Sequence, residues 1–307
     1  MELLVAKRPA GPSADEWTSF SDVGERFRGE RLTLHEYARV EGLHVTFVER
    51  LFDSLGGGPV RVREPRLGMP PPAWLGEFRN GTRMDRGTVT AVLRSMLRGL
   101  PMGCVLALPE LSCAVRVGFD YCLFVEVPDD LVPTVQACLP DGLSVLREQP
   151  HVEEEEYVTA LADDAFWAAL KDGTREENRP LWILESWAYD DWGERWYLAG
   201  PAAIDDVRGR VYPNSVIRAA FDLEVEVVEL SEYFDDTTAA STELLDVRAF
   251  PYPPEGWDLG ARPLAGYRPL RGRAGLFRPE QFYRRGTGLF EAVAPDVDGR
   301  LTARWLT

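Results

Sequence analysis

Residues 104–127 read Cys104-Val-Leu-Ala-Leu108-Pro-Glu-Leu-Ser-Cys113-Ala-Val-Arg-Val117-Gly-Phe-Asp-Tyr121-Cys-Leu-Phe-Val-Glu-Val127. Three strand-like runs, 104–108, 113–117 and 121–127, are parted only by short separators that include Pro109-Glu110 and Gly118. A parallel crossover needs about a dozen residues or more, so separators this short predict antiparallel hairpins. A mainly antiparallel sheet is therefore the frame into which the neighbouring segments must fit.

Upstream, Thr33-Leu-His-Glu36 has the spacing of a capping box, in which a hydroxyl and a carboxylate satisfy exposed helix amides. Tyr37, Val40, Phe47, Val48, Leu51, Phe52 and Leu55 follow at helical spacing, and Gly56-Gly57-Gly58 marks the stop. His44 falls on the apolar stripe, which suits a packed histidine better than a catalyst. Val60-Arg-Val62 reads as a short strand, and the proline-rich stretch 65–82 as a surface connection. Asp85 is placed to cap a second helix carrying Val89, Val92, Leu93, Met96, Leu97 and Leu100. Downstream, 129–138 reads as a helix, 143–146 as a strand and 154–170 as a helix; the polar segment 173–180 marks a boundary.

Beyond the boundary, Leu181-Trp-Ile-Leu-Glu-Ser-Trp187 and Arg195-Trp-Tyr-Leu-Ala199 read as paired strands joined by an acidic turn. Asn214 is a candidate cap for a helix reaching Ala220. Residues 223–230, 244–249 and 289–293 read as strands, and 277–283 as a helical turn or two. The expected fold class is α+β in two domains, 1–174 and 175–307, each a mainly antiparallel sheet with a few helices.

The chain has 307 residues and a formal net charge of −16. Residues 1–150 carry 20 acids and 17 bases, residues 151–246 carry 24 and 7, and residues 247–307 carry 6 and 10. The acidity thus belongs to the central block. A balance of this sign argues against nucleic acid and against an anionic membrane, both of which recruit clustered Lys and Arg. It suits steering of a basic partner. The first ten residues hold no apolar run of signal-peptide length, and no stretch approaches the roughly 18 apolar residues of a membrane span. A cytoplasmic location is the expectation. Cys104, Cys113, Cys122 and Cys138 lack paired short spacing, so they read as reduced thiols rather than metal ligands. Lys7 and Lys171 are the only lysines, which leaves little room for lysine-dependent catalysis.

Motifs for a serine nucleophile elbow, a zinc protease, a P-loop or an EF-hand are absent. No cofactor and no metal site is expected. Carboxylates beside aromatics are what remains: Asp190, Asp191 and Trp192 in the acidic turn, with Asp205 and Asp206 further on, and Trp182, Trp187, Trp196 and Tyr197 nearby in sequence. Aromatic anchors ringed by charge are what a tight protein interface uses. Two rivals stay open: a metal-dependent hydrolase built on paired carboxylates, and a structural subunit of a larger assembly.

Phe20-Ser-Asp22-Val-Gly24, Phe27, Gly29, Leu32-Thr33, Glu36-Tyr37 and Val40-Glu41, followed by Arg94, Leu97-Arg98 and Val117-Gly118-Phe119-Asp120-Tyr121, resemble a pattern found in small bacterial immunity-type proteins. The likeness spans roughly the first 130 residues and departs at Cys122, where the pattern has an aromatic. It implies a cytoplasmic antitoxin-like binder of a basic toxin domain, without catalysis of its own. Asp120 and Tyr121, an acid beside an aromatic in the first domain, are the second candidate contact, after the acid–tryptophan turn.

Overall fold

The computed structural model describes residues 1–8, 16–118, 120–149, 158–177, 181–220, 228–229, 248–251, 274–277, 290–296, 299 and 305. The fold is α+β with antiparallel sheets. The chain divides into two compact units, Met1–Glu155 and Glu156–Thr307.

In the first unit the strands are β1 (Glu2–Lys7), β2 (Arg26–Phe27), β3 (Glu30–Arg31), β4 (Val60–Leu67), β5 (Arg83–Met84), β6 (Met102–Leu108), β7 (Cys113–Val117), β8 (Cys122–Glu126) and β9 (Leu143–Gln149). The helices are α1 (Leu34–Ser54), α2 (Arg86–Leu97) and α3 (Val132–Ala137). Seven strands form one sheet in the order β5-β4-β6-β7-β8-β1-β9. The hairpins expected at 104–127 are its centre, β6-β7-β8, while the N-terminal segment supplies a strand between β8 and β9 that the sequence reading did not assign.

Register explains the two faces. Val62, Leu106, Val115, Val125 and Leu3 pair in one row across five strands, and all are fully or nearly fully buried. Because paired residues share a face, this row is the apolar floor of the core. The adjacent row, Arg61, Ala107, Ala114, Glu126 and Glu2, faces the other way. There Arg63 bridges to Glu126 at 3.2 Å and Arg116 to Glu2 at 3.4 Å.

The helix starts follow from their caps. Thr33 Oγ1 accepts the Glu36 amide at 3.1 Å, but the Glu36 carboxylate turns to Arg39, so only half of the capping box forms. Asp85 accepts the Thr88 amide at 2.8 Å, as expected of its position. Gly56 and Gly57 take φ of +94° and +63° and return their amides to the last turn of α1.

The second unit contains α4 (Asp164–Glu177), β10 (Leu181–Ser186), β11 (Glu194–Ala199), α5 (Ile204–Arg210), β12 (Val216–Ala220), β13 (Val228–Glu229), β14 (Arg248–Pro251), β15 (Ala274–Phe277) and β16 (Phe290–Val293). Four strands form the sheet β11-β10-β12-β16, and β13-β15-β14 form a smaller one. Trp167 and Leu170 of α4 and Ile204 and Val207 of α5 pack with Leu181, Ile183, Tyr197, Ile217 and Ala292. The helix expected at 154–170 starts later, at Asp164, and packs within this unit. Its expected first residues, 154–157, lie outside the described residues, as do most of 223–230 and 278–283.

One local expectation is overturned. Residues 216–220 form strand β12, not a helix capped by Asn214. Asn214 instead takes φ +64° in the preceding turn, and Val216–Ala220 gain sheet hydrogen bonds from β10 on one side and β16 on the other. Two strand partners outweigh a weak helix propensity.

Candidate functional site

The acid–tryptophan turn joins β10 to β11. Its shape is set by close packing at Gly193, where a Cβ would lie 2.4 Å from the Ala188 Cβ and 2.6 Å from its carbonyl oxygen. The amides of Trp187 and Ala188 both donate to the Gly193 carbonyl, at 2.7 and 3.1 Å. Asp190 sits at φ +69°, a conformation Asp tolerates in turns. On this fixed turn Asp190 is exposed and the Trp192 indole is 38% exposed. The Asp191 side chain is outside the described set.

Asp205 and Asp206 lie elsewhere. They open α5, which follows the Ala199 end of β11, whereas the turn precedes its Glu194 end. The six-residue strand that lies between them in the chain is about 17 Å long. Asp205 is paired with Lys171, which holds its carboxyl below the usual carboxylate range, and Asp206 pairs with Arg210 at 2.9 Å. Asp164 likewise pairs with Arg208. Asp190 and Trp192 are thus exposed on the turn, whereas Asp205 and Asp206 lie on α5 in helix-surface ion pairs.

The other aromatics divide as well. Tyr197 is fully buried, while Trp182 and Trp187 are half-buried. Trp187 stands edge-on to Tyr212 at 5.4 Å, and Arg195 lies 4.7 Å over the Tyr212 ring. Arg195 donates through Nε at 2.7 Å to Glu185, a carboxylate with no exposed surface. Glu185 also receives the Tyr212 amide at 2.7 Å, the Ser215 hydroxyl at 3.3 Å and the Tyr197 hydroxyl at 3.2 Å. Burial pushes this carboxyl up, against the pull of the Tyr212 amide and Arg195. The sequence reading passed over this group. Its signal is phase: Glu185 continues the Leu181–Ile183 alternation, so it points inward.

In the first unit, Asp120 and Tyr121 occupy the β7–β8 turn with consecutive φ of +59° and +57°. Asp120 is exposed. Tyr121 is only 3% exposed, so it supports the turn from beneath. Its ring lies 5.1 Å from Trp17, 5.2 Å from Tyr37 and 4.9 Å from His44. Gly118 is required beside it, because a Cβ there would come 2.3 Å from the Phe124 ring.

His44 is fully buried; its Nδ1–H donates to the Val40 carbonyl at 3.0 Å and, among the described residues, its Nε2 has no hydrogen-bond partner. Burial lowers its pKa. Tyr37 donates to the Leu97 carbonyl at 2.8 Å, and burial pushes its hydroxyl up to about 12. Lys7 lies 3.6 Å over the Trp17 ring, and burial lowers its pKa. Next to this cluster, Glu41 has no exposed surface and holds both Arg94 and Arg98.

Among the described residues no group of three or more His, Cys, Asp or Glu is placed to hold a metal ion, and no helix is long and apolar enough to cross a membrane. Comparison with protein-family models, curated proteins and solved structures found no match.

Proposed function

We propose that the chain is a non-enzymatic, cytoplasmic protein-binding module that docks a basic partner, an immunity protein against a toxin domain, through the turn bearing Asp190, Asp191 and Trp192. The observation that carries this reading is the exposed Trp192 indole on a turn fixed by Gly193. Holding an aromatic anchor rigid before binding lowers the ordering cost of association. Asp190 beside it supplies charge of the right sign for a basic partner. Asp205 and Asp206 contribute less, since their nearest cations belong to the chain itself.

A benzophenone photocrosslinker placed at position 192, in cells of the native host, tests the reading. It should join the chain to one basic protein, and the Asp190→Asn/Asp191→Asn variant should weaken that complex and flatten its salt dependence. Crosslinks confined to the chain itself, or a partner of acidic charge, would overturn it.

A further inference from the structure

Glu41, Arg94 and Arg98 form a group whose charges do not balance. One buried carboxylate faces two guanidinium groups, one from the last turn of α2 (Arg94) and one from its C-terminal cap (Arg98). Arg98 engages Glu41 with Nε at 2.7 Å and Nη2 at 3.1 Å, and Arg94 engages it through Nη1. Among the described residues no second carboxylate pairs with either guanidinium. The arrangement keeps one net positive charge.

Both arginines also reach solvent. Their side chains are 40% and 44% exposed, although the carboxylate that fixes them is not exposed at all. Arg98 Nη1 and Arg94 Nε and Nη2 are not used in the bonds to Glu41. Phe20, 37% exposed, lies under the Arg98 guanidinium at 6.0 Å and packs edge-on to Tyr37 at 5.0 Å. Two planar donor groups are thus held in place before any ligand arrives, beside an exposed ring.

We propose that Arg94 and Arg98 form a carboxylate-recognition site on the first unit, taking an acidic side chain of a protein partner with an apolar neighbour set against Phe20. The guanidinium fork matches a carboxylate in two-point geometry. One net positive charge matches one carboxylate, whereas a phosphate dianion would be left half-neutralised. Preorganisation by Glu41 removes most of the side-chain ordering that an exposed arginine loses on binding. The site is independent of the Trp192 turn and does not rest on the function proposed above.

Titration of the full chain with an acetylated Leu-Glu-Leu amide, followed by the arginine Nε–Hε resonances in nitrogen-15 spectra, tests this. The Arg94 and Arg98 signals should shift saturably, with a dissociation constant of about 1–10 mM. An acetylated Leu-Gln-Leu amide should bind about tenfold more weakly, and Arg94→Gln should weaken the glutamate peptide to a similar extent. Inorganic phosphate should bind more weakly than the glutamate peptide. Equal response to the two peptides, tighter binding of phosphate, or no shift of these two signals would each overturn the proposal. The wild-type titrations decide the matter even if Arg94→Gln does not fold.

Discussion

Replacing His44 with phenylalanine probes the buried cluster of the first unit through proton linkage. The imidazole has no exposed surface, donates to Val40, and among the described residues its Nε2 has no hydrogen-bond partner. Above neutral pH the substitution has two opposed effects. It removes a hydrogen bond contributing about 1 kcal/mol, and it removes an unsatisfied buried nitrogen costing about 1–3 kcal/mol. The Phe ring can keep the edge-on contact with Tyr121, so the variant should lie within about 1 kcal/mol of wild type or be slightly more stable.

Acid separates the two proteins. Burial lowers the folded-state pKa of His44 below its ordinary value of 6.5. The unfolded chain then takes up a proton that the folded chain refuses. The stability His44 contributes is complete above the unfolded pKa and is lost as pH falls toward the folded one. One proton corresponds to at most about 1.4 kcal/mol per pH unit, so wild type should lose stability steadily against His44→Phe as pH falls below 6.5, at no more than that slope. Hydrogen exchange of the α1 amides, corrected for intrinsic rates, reads this opening energy locally. Parallel pH dependence in the two proteins would refute the reasoning, for it would mean that the buried ring is charged without penalty.

Three further outcomes follow from local packing. Gly193→Ala should destabilise the second unit by about 1–3 kcal/mol in urea unfolding, because the new methyl meets Ala188 backbone as well as side chain. Glu41→Gln should cost about 1.5–3 kcal/mol, the range for hydrogen bonds to charged groups, read as a lowered melting temperature. The four cysteines are buried and form no disulfide, and burial pushes Cys113 up to about 12 and Cys104 upward as well. A thiol reagent should therefore leave all of them unmodified in the native chain and react with all of them in urea.

Where local chemistry dictates structure, the sequence was informative. The β6-β7-β8 hairpins follow from separators too short for any crossover, and Asp85 caps α2 where its position indicates. The N-terminal strand was not legible, because its partners β8 and β9 lie more than a hundred residues away and leave no mark on six residues of sequence. Asn214 misled for a related reason: a good capping residue precedes a segment whose conformation two distant strands decide.

The candidate site divides in the same way. Asp190, Asp191 and Trp192 are one turn because they are neighbours in the chain. Joining Asp205 and Asp206 to them assumed that like composition means a shared surface, and β11 intervenes. The residues carrying the immunity-type resemblance, including Phe20, Tyr37, Glu41, Arg98 and Tyr121, are linked in space by ring contacts and the Glu41 ion pairs. A pattern of this kind records packing needs as readily as a binding role, which is why it did not single out Arg94 and Arg98 as candidate contacts.

The central claim is that Trp192 on its fixed turn is the anchor for a basic partner. Calorimetric titration of the crosslinked partner, once purified, into wild type, Trp192→Ala and Asp205→Asn/Asp206→Asn tests it most directly. A central aromatic anchor contributes about 2 kcal/mol or more, so Trp192→Ala should weaken binding about 30-fold, while the paired acids of α5 should change it less than about threefold. Unchanged affinity in Trp192→Ala, or a larger loss in the α5 variant, would contradict the account.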